Sequence, residues 1–182
     1  MRIIHLFFTA FLLLYSASVH AQGDVWLLID TKKLELEVKL ADITLVKFSN
    51  IAIGRNGSGF KRRRGDDTTP LGKYKISWIN RKSRYHLFFG FNYPSVENVE
   101  QALKKGLVDK KTYSKVIRAH KNSHVPPQNT PLGGMIGIHG LGRGDETIHQ
   151  TMNWTHGCIA LTNEQINNLD KLIKKDTIVI VK

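Results

Sequence analysis

Cysteine is almost absent: Cys158 is the only one in 182 residues. A lone thiol cannot close an internal disulfide, so it is a buried bystander, half of a bridge between molecules, or a reactive group. No histidine and no arginine follows it in the chain. The first absence excludes the papain-like order of cysteine before histidine; the second excludes the arginine that sortase-type transpeptidases place after their nucleophile. Acidic side chains are scarce, with Asp+Glu 15 against Lys+Arg 27 and a formal net charge of +12. Such an excess favours anionic surroundings, whether nucleic acid, acidic lipid head groups or an anionic wall polymer. No zinc-finger spacing and no aromatic single-strand-binding pattern supports nucleic acid. Long apolar runs are also missing, apart from Leu6 to Tyr15.

That one run is preceded by Arg2 and His5 and followed by small residues, with Val19 and Ala21 at the positions a signal peptidase reads. Residues 1–21 therefore read as a secretory leader, with an uncleaved anchor as the alternative. The run falls short of the roughly 20 residues that span a bilayer. Residues 22–182 are expected to form one domain, exported to the periplasm or cell envelope, with no stable membrane insertion after cleavage and no nucleic-acid partner.

What is present concentrates in Met135 to Leu161, MIGIHGLGRGDETIHQTMNWTHGCIAL. Met135 to His139 reads as a short buried strand that delivers His139 to a turn rich in glycine at Gly140, Gly142 and Gly144. Thr155-His156-Gly157-Cys158 reads as a tight turn in which backbone N–H groups around Gly157 and Cys158 converge. An ordinary thiol, with a pKa of about 8.5, is mostly protonated at neutral pH, and a nearby imidazole can take its proton or hold the thiolate. The pattern favours the reactive thiol over the other two readings. His139, His149, His156 and Cys158 are also conceivable metal ligands, and Glu146 with His149 resembles half of a metal pair, but their spacing matches no common zinc pattern. No metal and no cofactor is expected.

These residues carry a family resemblance. His139-Gly140, then a gap to Thr155-His156-Gly157-Cys158-Ile159 with fifteen residues between His139 and Thr155, resembles the signature of the L,D-transpeptidase catalytic domain of YkuD type. Thr69-Pro70-Leu71-Gly72-Lys73-Tyr74 is similar to the family's Thr-Pro-x-Gly-x-Tyr segment, and Leu132-Gly133-Gly134 before Ile136 is another shared feature. The resemblance implies a mostly β (α+β) fold, a β-sandwich or mixed sheet with a few peripheral helices. It also implies Cys158 as nucleophile, His139 as base, the Gly140 carbonyl orienting the imidazole, and support of the oxyanion turn by Gly157, His156 and Thr155. His156 is read as stabilising the turn ahead of moving protons. One departure is visible: many members place arginine two residues after the cysteine, where this chain has Ala160.

Elsewhere, Val25–Asp30 and Leu34–Leu40 read as strands, the second with strict alternation, and Leu45–Phe48, Ile51–Ile53 and Tyr74–Ile79 continue the pattern. Gly54 to Gly59 lacks the ending of a phosphate loop and reads as a mobile turn; Lys61 to Arg64 reads as a solvated basic loop. Residues 80–130 are expected to form a helical insert, with helices from Ser95 to Lys105 and from Asp109 to His120, serving as a lid or wall of the cleft. Tyr93, Trp154 and Arg143 are the candidate cleft residues. His86, His120 and His124 read as surface or packing residues. Thr162 and Gln165 form a capping-box pattern opening a helix with Ile166, Leu169, Leu172 and Ile173 on its apolar face, and Thr177–Val181 is the last strand.

The resemblance implies attack by Cys158 on a peptidoglycan stem peptide, between the L-centre of the third residue and a terminal D-alanine, with a second amine resolving the thioester. That amine is a stem peptide, a wall-attached protein or another acceptor. Resolution by water, giving an L,D-carboxypeptidase or an amidase that releases a wall-linked protein, is the alternative that Ala160 keeps open. A wall-binding protein without turnover is the third reading.

Overall fold

The computed structural model describes Asp24–Lys182, so the leader expected over residues 1–21 lies outside the described residues. The fold is mostly β, built on one mixed sheet of eight strands among the described residues. β1 (Val25–Asp30), β2 (Glu35–Leu40) and β3 (Ile43–Ser49) run as an antiparallel meander. Alternation in β2 buries Leu36 and Val38 completely and turns Glu35, Glu37 and Lys39 to the other face. Leu34 belongs to the preceding turn, with φ 53.

β6 (Gly72–Ser83) pairs with β7 (His86–Phe91), which pairs in turn with β8 (Gly137–His139); β9 (Ile159–Ala160) lies parallel to β8 at the edge. β10 (Ile178–Val181) fills the centre, parallel to β1 and antiparallel to β6. After β3 ends at Ser49 the chain bridges Ala52 to Ala160, at the opposite edge of the sheet. Three residues reach about 10 Å at most, so the sheet must curl until its edges nearly meet. Its concave side encloses Leu27, Ile29, Tyr74, Ile76, Phe89, Phe91, Ile138, Ile159 and Val179, all at most 1 % exposed. Each such side chain contributes about 1.5–3 kcal/mol relative to leaving it in water.

Several expectations change. Ile51 and Ile53 are buried, but the segment expected to continue the strand pattern makes isolated bridges instead. The Gly54–Gly59 stretch is not merely a turn: β4 (Ser58–Gly59) pairs with β5 (Thr69–Pro70). Residues 80–91 are not insert at all but a hairpin of the main sheet, because HLFFGF is buried on both faces and so shows no alternation. The helical part is α1 (Val96–Lys104) and α2 (Lys110–Lys121), capped by Ser95 and Asp109. Val99, Ala102 and Val116 pack both helices into the core. Two short elements complete the chain: α3 (Glu146–Thr151), capped by Asp145, and α4 (Asn163–Asp170), opened by the Thr162–Gln165 capping box. α4 ends before Leu172, which is exposed, while Ile173 is buried. Among the described residues no helix is long and apolar enough to cross a membrane.

Candidate active site

Two adjacent parallel strands bring the chemistry together. β8 ends on His139 and β9 begins one residue after Cys158, so the Ile138–Ile159 pairing sets the two side chains beside one cavity. The cavity measures about 320 Å³ and is lined by Arg55, Tyr85, Phe88, Met135, His139, Trp154, Thr155, His156 and Cys158.

His139 is held on every side. Its Nδ1 lies 2.7 Å from the Gly140 carbonyl oxygen. A carbonyl only accepts, so Nδ1 carries the proton and Nε2 is left with a free lone pair. Tyr85 stacks on the ring at 4.4 Å, Phe88 lies parallel at 6.4 Å, and Trp154 meets it edge-on at 5.7 Å. Burial pushes the imidazole down to about 4, against the opposing pull of the Gly140 carbonyl. The ring is therefore neutral, the form a general base requires.

Cys158 is half-buried, and its thiol donates to the Met135 carbonyl at 3.2 Å. Desolvation raises it to about 11, outweighing the Gly137 N–H and the Lys61 charge. The resting pair is thus a neutral thiol and a neutral imidazole, rather than an ion pair.

The turn before Cys158 is closed by one hydroxyl. Thr155 Oγ1 donates to the Cys158 carbonyl at 2.6 Å and accepts the Gly157 N–H at 3.1 Å. Gly157 has φ +121, and a Cβ there would stand 2.7 Å from the Thr68 carbonyl oxygen, so only glycine fits. Because the Gly157 N–H is committed to Thr155, the Cys158 N–H is the turn's candidate oxyanion donor. His156 lines the cavity but is engaged by another partner: its Nδ1 bonds Asp67 Oδ1 at 2.7 Å, and it tethers the turn to the loop before β5. That bond is the first cause of the lowered Asp67 pKa.

The upstream Thr-Pro-x-Gly-x-Tyr segment is scaffolding for the same turn. Thr69 Oγ1 accepts the Gly54 N–H at 2.8 Å, and the buried Tyr74 hydroxyl donates to the Leu71 carbonyl at 3.0 Å. Gly54 and Arg55 are stitched in turn to the start of the Thr155–Cys158 turn, by an isolated bridge and the Arg55 N–H to Thr155 carbonyl bond at 3.0 Å. Lys61, expected in a solvated loop, is 3 % exposed and ion-paired with Asp66, which also accepts the Arg62 and Arg63 N–H groups. Arg62 to Arg64 remain in solvent.

Of the three candidate cleft residues only Trp154 lines the cavity. Tyr93 is fully buried and donates its hydroxyl to the Leu132 carbonyl at 3.1 Å, so it belongs to the core. Arg143 is exposed beyond the lining, because Asn163 clamps both the N–H and the carbonyl of Gly142, at 2.9 and 2.8 Å, and fixes the loop's path outward. No residue of α1 or α2 lines the cavity either; of the 80–130 stretch expected as lid or wall, Tyr85 and Phe88 form part of the wall. His149 is buried in α3 with Nδ1 accepting the Trp154 indole N–H at 3.3 Å. Among the described residues, no three His, Cys, Asp or Glu side chains stand together as a metal site would need. His86 bonds Asn167, His120 bonds the Pro94 carbonyl and His124 is exposed; none of the three lines the cavity.

Sequence reasoning missed Tyr85, Phe88, Arg55 and Met135. Phe88 faces His139 across the β7–β8 pairing, a relation hidden once β7 was assigned to the insert.

The fold and the cavity together define a cysteine–histidine site carried on a curled mixed sheet. Comparison with protein families matches residues 24–181 to YkuD, the L,D-transpeptidase catalytic domain, and the chain belongs to that family. Among solved structures it is similar to the helical cell shape determining protein Pgp2 from Campylobacter jejuni, at 22% identity and TM-score 0.57, covering 87% of this chain and 47% of that one. It is also similar to Bd1075 from Bdellovibrio bacteriovorus, at 18% identity and TM-score 0.56, covering 91% of this chain and 50% of that one. The chain thus spans about half the length of these structures, and the likeness is one of fold. Direct sequence comparison with curated proteins gave no match.

Proposed function

We propose that the protein is a cysteine-dependent acyl-transfer enzyme of the cell wall, an L,D-transpeptidase acting on peptidoglycan stem peptides. The observation that carries this reading is His139, whose Nδ1–H is locked to the Gly140 carbonyl so that Nε2 remains a base in the cavity that holds Cys158. The first step forms the bond from Cys158 Sγ to the carbonyl carbon of the third stem residue as the thiol proton passes to His139 Nε2. The Cys158 N–H stabilises the oxyanion. Collapse breaks the C–N bond, His139 returns the proton to the departing D-alanine amine, and a thioester remains. An incoming amine attacks the thioester while losing its proton to His139, and Cys158 leaves as the thiol. The acceptor amine comes from a second stem peptide, a D-amino acid or a wall-attached protein.

A hydrolytic version of the same cycle, with water as acceptor, is favoured by one specific observation. Ala160 is 0 % exposed and bridged to Ala52, so the position where many members carry arginine offers no side chain to the cavity. The product would then be a trimmed stem peptide or a released wall-linked protein. Export fits either version: residues 1–21 as a cleaved leader, residues 22–182 as one domain, and a basic surface suited to an anionic wall.

Intact-mass and product analysis of residues 22–182 and of its Cys158→Ala variant, with tetrapeptide-bearing wall fragments and cross-linked dimers, tests this. New dimers or D-amino-acid exchange, lost in the variant, are the expected result. Shortened monomers or split dimers alone establish the hydrolytic version. Identical products from both proteins, or none across several wall types, overturn the proposal.

A further inference from the structure

We propose that Arg55 reads the free carboxylate of the peptide that Cys158 attacks; the inference rests on the function proposed above and names the substrate end selected. A donor cut one residue from its C-terminus presents an anion within one residue of the scissile carbonyl. Something in the cavity must pair with it, because an unpaired carboxylate brought out of water is costly.

The cavity offers one group for this purpose. Of its lining residues only Arg55 carries a permanent charge. His139 is neutral, with Nδ1 held by the Gly140 carbonyl, while His156 Nδ1 is engaged by Asp67. Lys61 is buried against Asp66, and Arg84, stacked on Tyr85 with a guanidinium N–H donated to the Tyr85 hydroxyl at 2.7 Å, lies outside the lining. Position 160, where the family resemblance expects an arginine, holds a fully buried alanine.

Arg55 is also built in place. Its backbone N–H bonds the Thr155 carbonyl at 3.0 Å, three residues before the nucleophile. Its Nε–H bonds the Trp154 carbonyl at 3.1 Å, and Nη1 lies 3.7 Å from Asp67 Oδ2. These contacts occupy one N–H and orient another, leaving the remaining donors of the five on a guanidinium whose side chain is 54% exposed. Asp67 divides its oxygens between Arg55 and His156, so the carboxylate that aims the guanidinium also tethers the catalytic turn. A planar fork held this way suits bidentate pairing with a terminal carboxylate.

The test compares a tetrapeptide with a diamino acid third and D-alanine fourth, as free acid and as C-terminal amide, on the wild-type protein, Arg55→Gln and Arg55→Lys. Melting temperature and the alkylation rate of Cys158 serve as fold controls. Wild type should favour the acid by about 10- to 100-fold in kcat/KM, mostly through KM. Arg55→Gln should erase that preference, and Arg55→Lys should restore part of it, since it keeps the charge and loses the fork. Turnover of both peptides with equal efficiency by wild type, or an undiminished preference in Arg55→Gln, overturns the role of Arg55 and leaves the proposed function standing. Turnover of neither peptide by wild type overturns the proposed function, and the role of Arg55 with it.

Discussion

Thr155 and Cys158 are joined by a hydrogen bond of 2.6 Å from the threonine hydroxyl to the cysteine carbonyl, and the same oxygen receives the Gly157 N–H. One side chain thereby fixes the peptide planes on either side of the Gly157–Cys158 peptide, whose N–H is that of Cys158. Thr155→Ser keeps the hydroxyl and should stay within about twofold of wild type. Thr155→Val keeps the shape but frees both backbone groups, and kcat/KM should fall about 10- to 100-fold as the Cys158 N–H loses its aim. Steady-state kinetics of the two variants side by side check this, with the serine variant excluding a purely volumetric effect.

Gly157→Ala should be more damaging than its single methyl suggests. The added carbon combines a φ of +121 with a 2.7 Å approach to the Thr68 carbonyl oxygen, and neither backbone can yield alone. A loss of about 1–3 kcal/mol in stability is expected, together with loss of turnover. Denaturant unfolding and an acylation assay on the same preparation measure both; wild-type stability in the variant would refute the packing argument.

The thiol and the imidazole predict a pH signature. With Cys158 raised to about 11 and His139 lowered to about 4, alkylation by iodoacetamide should be slow at neutral pH and climb towards alkaline values without a plateau between pH 5 and 8. Stability carries the same information. An unfolded imidazole takes its proton near 6.5, whereas the folded one resists until about 4. In that interval the unfolded state binds more protons, so stability is full above about 6.5 and declines as pH falls towards 4. The thiol acts at the other end: its contribution is full below 9.0 and declines as pH rises towards about 11. Thermal melts from pH 4 to 10, with His139→Gln and Cys158→Ala as references, separate the two contributions. A flat alkylation plateau at neutral pH would instead reveal an ion pair.

Tyr93 and Trp154 should behave oppositely. Tyr93→Phe removes the donor to a buried Leu132 carbonyl and should cost about 1–3 kcal/mol of stability, leaving kcat/KM near that of wild type. Trp154→Phe takes away the indole that packs against His139 and donates to His149, and kcat should fall by about tenfold with KM less affected. Turnover lost in Tyr93→Phe at unchanged stability would return that residue to the cleft.

The contrast between these two aromatics shows what a linear chain displays. Trp154 stands one residue before the Thr-His-Gly-Cys turn, so its place was readable from the motif. Tyr93 precedes a proline, a setting that says extended backbone but not which face is buried. The capped helices α1, α2 and α4 were legible because Ser95, Asp109 and Thr162 announce their starts locally. β7 was not, since a strand buried on both faces loses the alternation that marks half-buried strands. With it went Phe88, half of the stacking around His139. Arg55 was hidden for a different reason: it reaches the cavity only through pairing with Thr155, a hundred residues later in the chain, and no local pattern encodes that meeting.

The position of β10 bears on how the molecule comes into being. Ile178–Val181 lies between β1 and β6, so the sheet has no centre until that stretch is available. A chain emerging N-terminus first can form the β1–β2–β3 meander and the β6–β7 hairpin, but these remain two unjoined pieces. Contacts of such long sequence separation form late. The β6–β9 half of the sheet, which carries His139 and Cys158, is therefore joined through the sheet's centre to the β1–β2–β3 half only once this last strand is in place.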